Sequence, residues 1–276
     1  MAQLPRRRRA GVIEPALLVR VPGCEAGQSP HRIEALSGGR GCNSVVRVDS
    51  TAGSFVLRRR HPPLDRPGSF SRNELQCHRI AAEAGLAPRL IDAEEDGAWL
   101  LMEYVAAEPW TEERLFTASG IESLGCQLQR LHALPLTDAV PAIDAARIAR
   151  GYLQQIARRD AQLAAALSEE LPGVEAAVQE IAAASDRSVL NHGDLQVANL
   201  LGPAPLLVDW EYAQRTDPLY DVACLLGYYP ALQPQQDRLL ASCGLDSPQN
   251  RQILSLQMRL FVRLNRLWEH AAPETG

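Results

Sequence analysis

From residue 32 to residue 102 apolar and polar positions alternate in short runs, the mark of half-buried strands. The alternation predicts strands over residues 32–36, 44–48 and 54–58, separated by turn-rich stretches at 37–43 and 49–53. A helix is expected over 71–84, with Leu75, Ile80 and Ala84 among polar residues and Gly85 and Pro88 to stop it. Two more strands, over 89–92 and 99–102, complete a five-stranded antiparallel sheet. Beyond residue 103 the period lengthens. Ile121, Leu124, Leu128, Leu131 and Leu134 recur at steps of three and four until Pro135. Alanine-rich stretches 145–170 and 173–184 read as helices broken at Leu171-Pro172, and 220–229, 235–243 and 247–270 as three more. Strands first and helices after describes an α+β chain of two lobes: a sheet lobe over 32–103 and a helical lobe over 104–276. Residues 1–31, with weak periodicity, are expected to be loosely structured.

One apolar run breaks the helical half. Leu206-Leu207-Val208 reads as a short buried strand that ends on Asp209. Asn191-His192-Gly193-Asp194 precedes it, and Asn199 follows Asp194 by five positions. Phosphoryl transfer needs one carboxylate to accept the proton of the attacking hydroxyl. It also needs an amide and a second carboxylate to hold magnesium on the nucleotide phosphates. The spacing therefore assigns Asp194 as base, and Asn199 and Asp209 as metal ligands. The plainer alternative, a polar surface loop before a core strand, leaves the acid at the strand's end without a reason.

These residues, together with Val208-Asp209-Trp210-Glu211-Tyr212-Ala213 and Asp217-Pro218-Leu219-Tyr220-Asp221-Val222-Ala223, resemble the aminoglycoside phosphotransferase/choline kinase group. Its members are small-molecule kinases with the two-lobed protein-kinase architecture, and the motifs are most similar to the bacterial choline kinase and thiamine kinase branches. The resemblance runs from about Arg32 to about Tyr229. It implies a protein-kinase-like α+β fold that uses ATP and Mg²⁺.

The resemblance also places residues. Gly38 and Gly39, with Asn43 and Ser44, match the nucleotide-covering loop, where backbone N–H groups must approach phosphates closely; a plain β-turn is the alternative. Arg58 stands where protein kinases carry a lysine, with Glu74 as its helix partner. Arg59 and Arg60 follow directly, so the choice among the three rests on strand alternation. Met102, Glu103 and Val105 resemble the hinge that bonds adenine, the Glu103 side chain being unnecessary to it. His192 is expected to brace the catalytic loop and Asp221 to support it from the next helix. Asp217 reads as a helix cap or an acid near the acceptor, and Glu211 as an aid to metal or acceptor. Tyr228, Tyr229 and Trp268 could line an acceptor pocket, but with 5% aromatic residues helix packing is the favoured reading, and the remaining histidines read as surface or core-edge residues. The implied acceptor is a hydroxyl on a small cationic metabolite of the choline, ethanolamine or thiamine type. An amino-sugar kinase and a non-catalytic nucleotide-binding pseudokinase are the competing readings.

Composition narrows this in three ways. All 28 basic residues are arginine, so any phosphate-gripping cation here is a guanidinium. Residues 1–105 hold 15 arginines against 12 acids, a net of +3. Residues 106–276 hold 13 against 21, a net of −8. A basic first lobe suits phosphates, and an acidic second lobe suits metal and a cationic acceptor. The six cysteines have neither CxxC nor metal-ligand spacing and read as free thiols of a cytoplasmic protein. No apolar run reaches the roughly 20 residues of a membrane span, and no signal-peptide core follows Arg6–Arg9. That arginine run is too short to define a nucleic-acid or membrane face, so neither partner is expected. Nothing in the sequence speaks to oligomeric state.

Overall fold

The computed structural model describes residues 14–25, 28–36, 43–63, 65–136 and 140–272. Gly38, Gly39, Cys42 and Arg6–Arg9 lie outside them. The first lobe is a five-stranded antiparallel sheet in the order β1-β2-β3-β5-β4, with β1 Arg32–Ala35, β2 Asn43–Ser50, β3 Gly53–Arg60, β4 Leu90–Ala93 and β5 Trp99–Glu103. β2 and β3 form a long hairpin in which Val46 faces Leu57 and Val48 faces Phe55. Helix α2, Ser71–Glu83, lies against the sheet through Leu75, which packs with Leu100 and Met102. The predicted strands and this helix are all present, each within two residues at most ends.

The opening segment departs from expectation. Pro15–Leu18 forms a short helix, α1, and Leu17, Val21 and Cys24 pack into one cluster with Val46, Val48, Phe55, Leu57, Trp99 and Leu101. Burying these side chains contributes about 1.5–3 kcal/mol for a residue the size of Val or Leu. Residues 14–25 are therefore part of the sheet lobe's core. Their contacts alternate too briefly to register as periodicity.

The second lobe holds α3 Glu112–Leu115, α4 Ala118–His132, α5 Ala145–Ala157, α6 Ala161–Leu167, α7 Glu170–Ala184, α8 Leu219–Tyr228, α9 Gln236–Ser242 and α10 Pro248–Ala271. The stripe at Ile121, Leu124, Leu128 and Leu131 is fully buried against α8 and α9. The break expected at Leu171-Pro172 falls earlier. Asp160 caps α6 by accepting from the Leu163 amide, and α7 starts at Glu170 with Leu171 and Pro172 in its first turn. A proline's missing N–H costs nothing there, because first-turn amides have no intrahelical partner. Helices α5, α6, α7 and α10 share a second core around Ala149, Ile156, Leu167, Val174 and Leu264.

Two small ribbons sit between the lobes: β6 Val189–Asn191 with β9 Gln214–Thr216, and β7 Leu200–Leu201 with β8 Leu206–Leu207. They hold the segment from His192 to Tyr212 along the cleft. The described cysteines are free, and all but Cys126 are buried. No described helix is long and apolar enough to cross a membrane.

Candidate active site

The lobes enclose a cleft of about 820 Å³. Its floor is the loop after β6. Gly193 adopts φ 76°, and a Cβ there would stand 2.5 Å from the Tyr212 carbonyl oxygen, so only glycine lets the chain pass. Asp221, on α8 and fully buried, accepts hydrogen bonds from the Gly193 amide (2.9 Å) and the His192 amide (3.2 Å) and bonds His132 Nε2 (3.0 Å). His192 is itself buried. Its Nε2 lies 3.0 Å from the Val208 carbonyl, and its ring packs edge-on against Trp210 with centroids 4.7 Å apart. These bonds fix the backbone on both sides of Asp194.

Asp194 faces the cleft and is held by amides. Gln196 Nε2 donates to Oδ1 (3.0 Å), and Asn199 Nδ2 donates to Oδ2 and to the main-chain carbonyl (both 2.9 Å). Tyr228 adds a side-chain hydrogen bond. Burial first, and the charge of Asp209 second, push the Asp194 carboxyl above its ordinary range. The Tyr228 hydroxyl is pushed up by burial and by Asp194.

Asp209 follows the β7–β8 ribbon with φ 66° and ψ 66°, the one non-glycine residue in the left-handed region among those described. Such a conformation costs about 1–3 kcal/mol and clusters at functional sites. It aims the carboxylate across the cleft at β3. There Arg58 Nη1 bonds Asp209 Oδ1 (2.7 Å) and Glu74 Oε1 (2.6 Å), and Nη2 bonds Glu211 Oε2 (3.2 Å). Strand alternation puts Arg58 and Arg60 on this inner face. Arg60 reaches the other oxygen of Glu74 and the Ser69 hydroxyl. Arg59 points the opposite way, to Glu14 at 2.7 Å. The three carboxylates raise the Arg58 pKa despite burial, which acts against it.

Glu211 belongs to the same cluster. It accepts from Asn43 Nδ2 (3.2 Å), Arg58 and the Ser69 hydroxyl (3.5 Å), all first-lobe groups. Of the two roles expected of Glu211, aid to metal or to acceptor, its place beside Arg58 and Asp209 favours the first. Burial, then the charge of Asp209, lift its carboxyl to about 7, with Arg58 opposing the rise. Asp217 takes the first of its two expected roles, the helix cap, and not the acceptor-side one. It accepts from the Leu219 amide (2.9 Å), Ser185 and Arg187, caps α8 and stays outside the cleft lining. The Ser44 side chain lies outside the cleft lining, facing away from Asn43 and Val45, and bonds His61 Nε2 at 2.8 Å. Met102, Glu103 and Val105 line the cleft at the lobe junction, with the Glu103 carboxylate turned to Arg89.

The structure also gathers what sequence order scatters. Tyr152 from α5, Tyr212, Tyr220 and Tyr228 from the segment around α8, and Phe261 and Trp268 from α10 all line the cleft beyond Asp194. Trp268 Nε1 donates to the Tyr212 hydroxyl at 2.8 Å. Tyr228 and Trp268 line the cleft, and Tyr228 also packs between helices against Phe261. Tyr229 lies outside this lining, and its hydroxyl accepts from the Val197 amide (2.7 Å). Two of the histidines expected at the surface or core edge have buried side chains. His132 bonds Asp221; His78 bonds the Pro88 carbonyl (2.9 Å) and is pushed down to about 4, by burial above all. His132 closes the apolar stripe of α4, the one sign in the sequence that it faces inward.

A sheet lobe over a helical lobe, with an inner-strand cation paired to a helix glutamate above a loop carrying acid and amide, defines the two-lobed kinase fold. The sequence profile described as the phosphotransferase enzyme family matches residues 32–250. The chain belongs to that family and is an enzyme, a phosphotransferase of the small-molecule kinase type. Its fold is similar to that of a choline/ethanolamine kinase family protein from Mesorhizobium loti, with 23% identity and a TM-score of 0.69 over 92% of this chain and 83% of that one. The choline kinase LicA from Streptococcus pneumoniae matches at 16% identity and a TM-score of 0.72 over 90% and 88%. A spectinomycin phosphotransferase in complex with ADP and spectinomycin matches at 15% identity and a TM-score of 0.59 over 86% and 82%. No protein of curated function matches the chain by sequence.

Proposed function

We propose that this enzyme transfers the terminal phosphoryl group of ATP to a hydroxyl on a small organic cation. The observation that carries the reading is that Asp194 shares one cleft with a charged cluster and with six aromatic side chains. The cluster is Arg58, Asn199 and Asp209, and the aromatic side chains are Tyr152, Tyr212, Tyr220, Tyr228, Phe261 and Trp268. Aromatic faces attract alkylated ammonium groups, which cannot satisfy themselves with hydrogen bonds.

In this reading Asp194 accepts the proton of the acceptor hydroxyl as its oxygen bonds the terminal phosphorus, and the bond to the ADP oxygen breaks. A carboxyl pushed above its ordinary range is a stronger base than a free one. Gln196, Asn199 and Tyr228 orient it. Met102, Glu103 and Val105 flank the base of the nucleotide at the lobe junction. The donor set suits magnesium, which takes one or two protein oxygens and keeps phosphate and water for the rest. Asp209 and Asn199 would hold the ion, and when bound it would neutralise charge on the phosphates. Arg58 fixes Asp209 in place through the Glu74–Arg58–Asp209 chain of ion pairs. Asp217 is engaged outside the cleft lining, while Glu211 and Glu269 of the second lobe belong to it. The aromatic faces, Asp194 and Glu269 supply the attraction.

Transfer from labelled ATP to choline, ethanolamine, thiamine, an amino sugar and a neutral diol of choline's size tests this. A cation should show the highest kcat/KM in the panel, and Trp268→Leu should lower its kcat/KM more than that of the diol. A neutral sugar or an anionic alcohol outperforming every cation would overturn the cationic-acceptor reading.

A further inference from the structure

The connection from β3 to α2 crosses between the lobes. Arg66 and Ser69 exchange backbone hydrogen bonds of 2.8 and 3.0 Å around Pro67-Gly68, with Gly68 at φ 76°. This tight turn seats on α5. A Cβ at Gly151 would come within 2.7 Å of the Pro67 ring. One at Gly68 would come within 2.9 Å of the Tyr152 hydroxyl. Two facing glycines permit that approach, so the turn holds its first residue, Arg66, in a defined place over the cleft. Arg66 Nη2 donates to the His61 carbonyl (2.9 Å), and the His61 ring bonds Ser44 at the start of β2.

Among the described residues two arginines line the cleft, and their circumstances are opposite. Arg58 is surrounded by Glu74, Asp209 and Glu211. Arg66 forms no ion pair with any described residue, and its Nη1 is buried without a hydrogen-bond partner. Buried donors are nearly always satisfied, and an exception asks for the acceptor that completes it. The sequence has no lysine to serve as a point charge for phosphate. Arg58 has little charge left to offer, since three carboxylates already share it. Arg66 also opens the Pro67-Gly68 turn that packs against Tyr152 and Tyr212.

We propose that Arg66 binds the terminal phosphoryl group transferred in this cleft, with Nη1 donating to a non-bridging oxygen. This rests on the reading that the cleft takes a nucleoside triphosphate. As the phosphorus passes from the ADP oxygen to the acceptor oxygen, negative charge spreads over its three equatorial oxygens. A planar guanidinium fixed by a backbone turn meets such oxygens with directed, charge-assisted hydrogen bonds. Arg66 is then a ligand of the group in flight, and Arg58 organises the metal-binding acid.

Titration calorimetry of the full chain with Mg²⁺ and either the β,γ-imido analogue of ATP or ADP tests the assignment. Arg66→Ala and Arg66→Gln should weaken the triphosphate analogue by about tenfold or more and ADP by less than about twofold. Arg66→Lys, which keeps charge without the fork, should recover part of the loss, and thermal unfolding midpoints show whether each variant keeps the fold. Equal losses for both nucleotides, or none for either, would overturn the proposal. So would a phosphorylated acceptor that loses affinity while the triphosphate analogue does not, because the guanidinium would then serve the product alone. Failure of the wild type to bind either nucleotide would instead remove the nucleotide reading beneath it.

Discussion

Glu211→Gln isolates the cost of holding a third carboxylate beside Arg58. The carboxyl of Glu211 stands at about 7 in the folded protein against an ordinary value of 4.5. Its protonated form is favoured by the fold, so the associated stability is full below 4.5 and is lost as pH rises through 7. A shift of that size amounts to about 3 kcal/mol at pH 8, most of which develops between pH 5 and pH 8. Partial exposure of the side chain trims the expected change to about 2 kcal/mol. Glutamine has the shape of the protonated acid and can still meet Asn43, Ser69 and Arg58. The variant should therefore gain about 2 kcal/mol on the wild type when the comparison moves from pH 5 to pH 8. Urea unfolding of both proteins without nucleotide or Mg²⁺, at half-unit pH steps, reads this directly, and the contribution of Asp194 cancels in the difference. A difference flat within about 0.5 kcal/mol, or one growing toward low pH, would refute the argument.

Two further outcomes bear on the transfer machinery. Asp194→Asn should lower transfer by at least about a hundredfold, as expected for loss of a general base, while nucleotide affinity changes little; retention of more than about a tenth of the wild-type rate would remove Asp194 from that role. Asp209→Ala should abolish the Mg²⁺-dependent part of nucleotide binding and Asn199→Ala should weaken it less, by calorimetry with and without the ion; undiminished Mg²⁺-dependent binding by the Asp209 variant would contradict the ligand assignment.

Much of the first lobe was legible because its strands are short, alternating and punctuated by glycine and proline. The pair Arg58–Glu74 followed from the same alternation, although choosing Arg58 over Arg59 and Arg60 needed to know which face α2 covers. Asp194, Asn199 and Asp209 were legible from spacing, since one loop and one ribbon carry all three. What escaped was contact between distant segments. Asn43 meets Glu211 across 168 positions, and this turns Glu211 from the acceptor toward the first lobe. Asp217 sits near the catalytic loop in sequence, yet it faces Ser185 and Arg187 on the loop's far side. The aromatic wall was hidden for the same reason: its six rings come from separate segments, each of which alone reads as ordinary helix packing.

Helix α8 serves two masters, and that divides the routes by which this enzyme's acceptor range can drift. One set of its side chains, Asp221 with Tyr229 just past the end, ties down the backbone at His192, Gly193 and Val197. Another, Tyr220 and Tyr228, lines the cleft on the side proposed for the acceptor. Any repacking of α8 to welcome a new substrate disturbs the loop that performs the chemistry, so selectivity and turnover change together. Helix α5 carries Tyr152 with none of those ties to the loop, whereas on α10 Trp268 bonds Tyr212 and Phe261 packs on Tyr220 and Tyr228. Substitution at Tyr152 is therefore the change expected to shift the acceptor range with least disturbance of the loop.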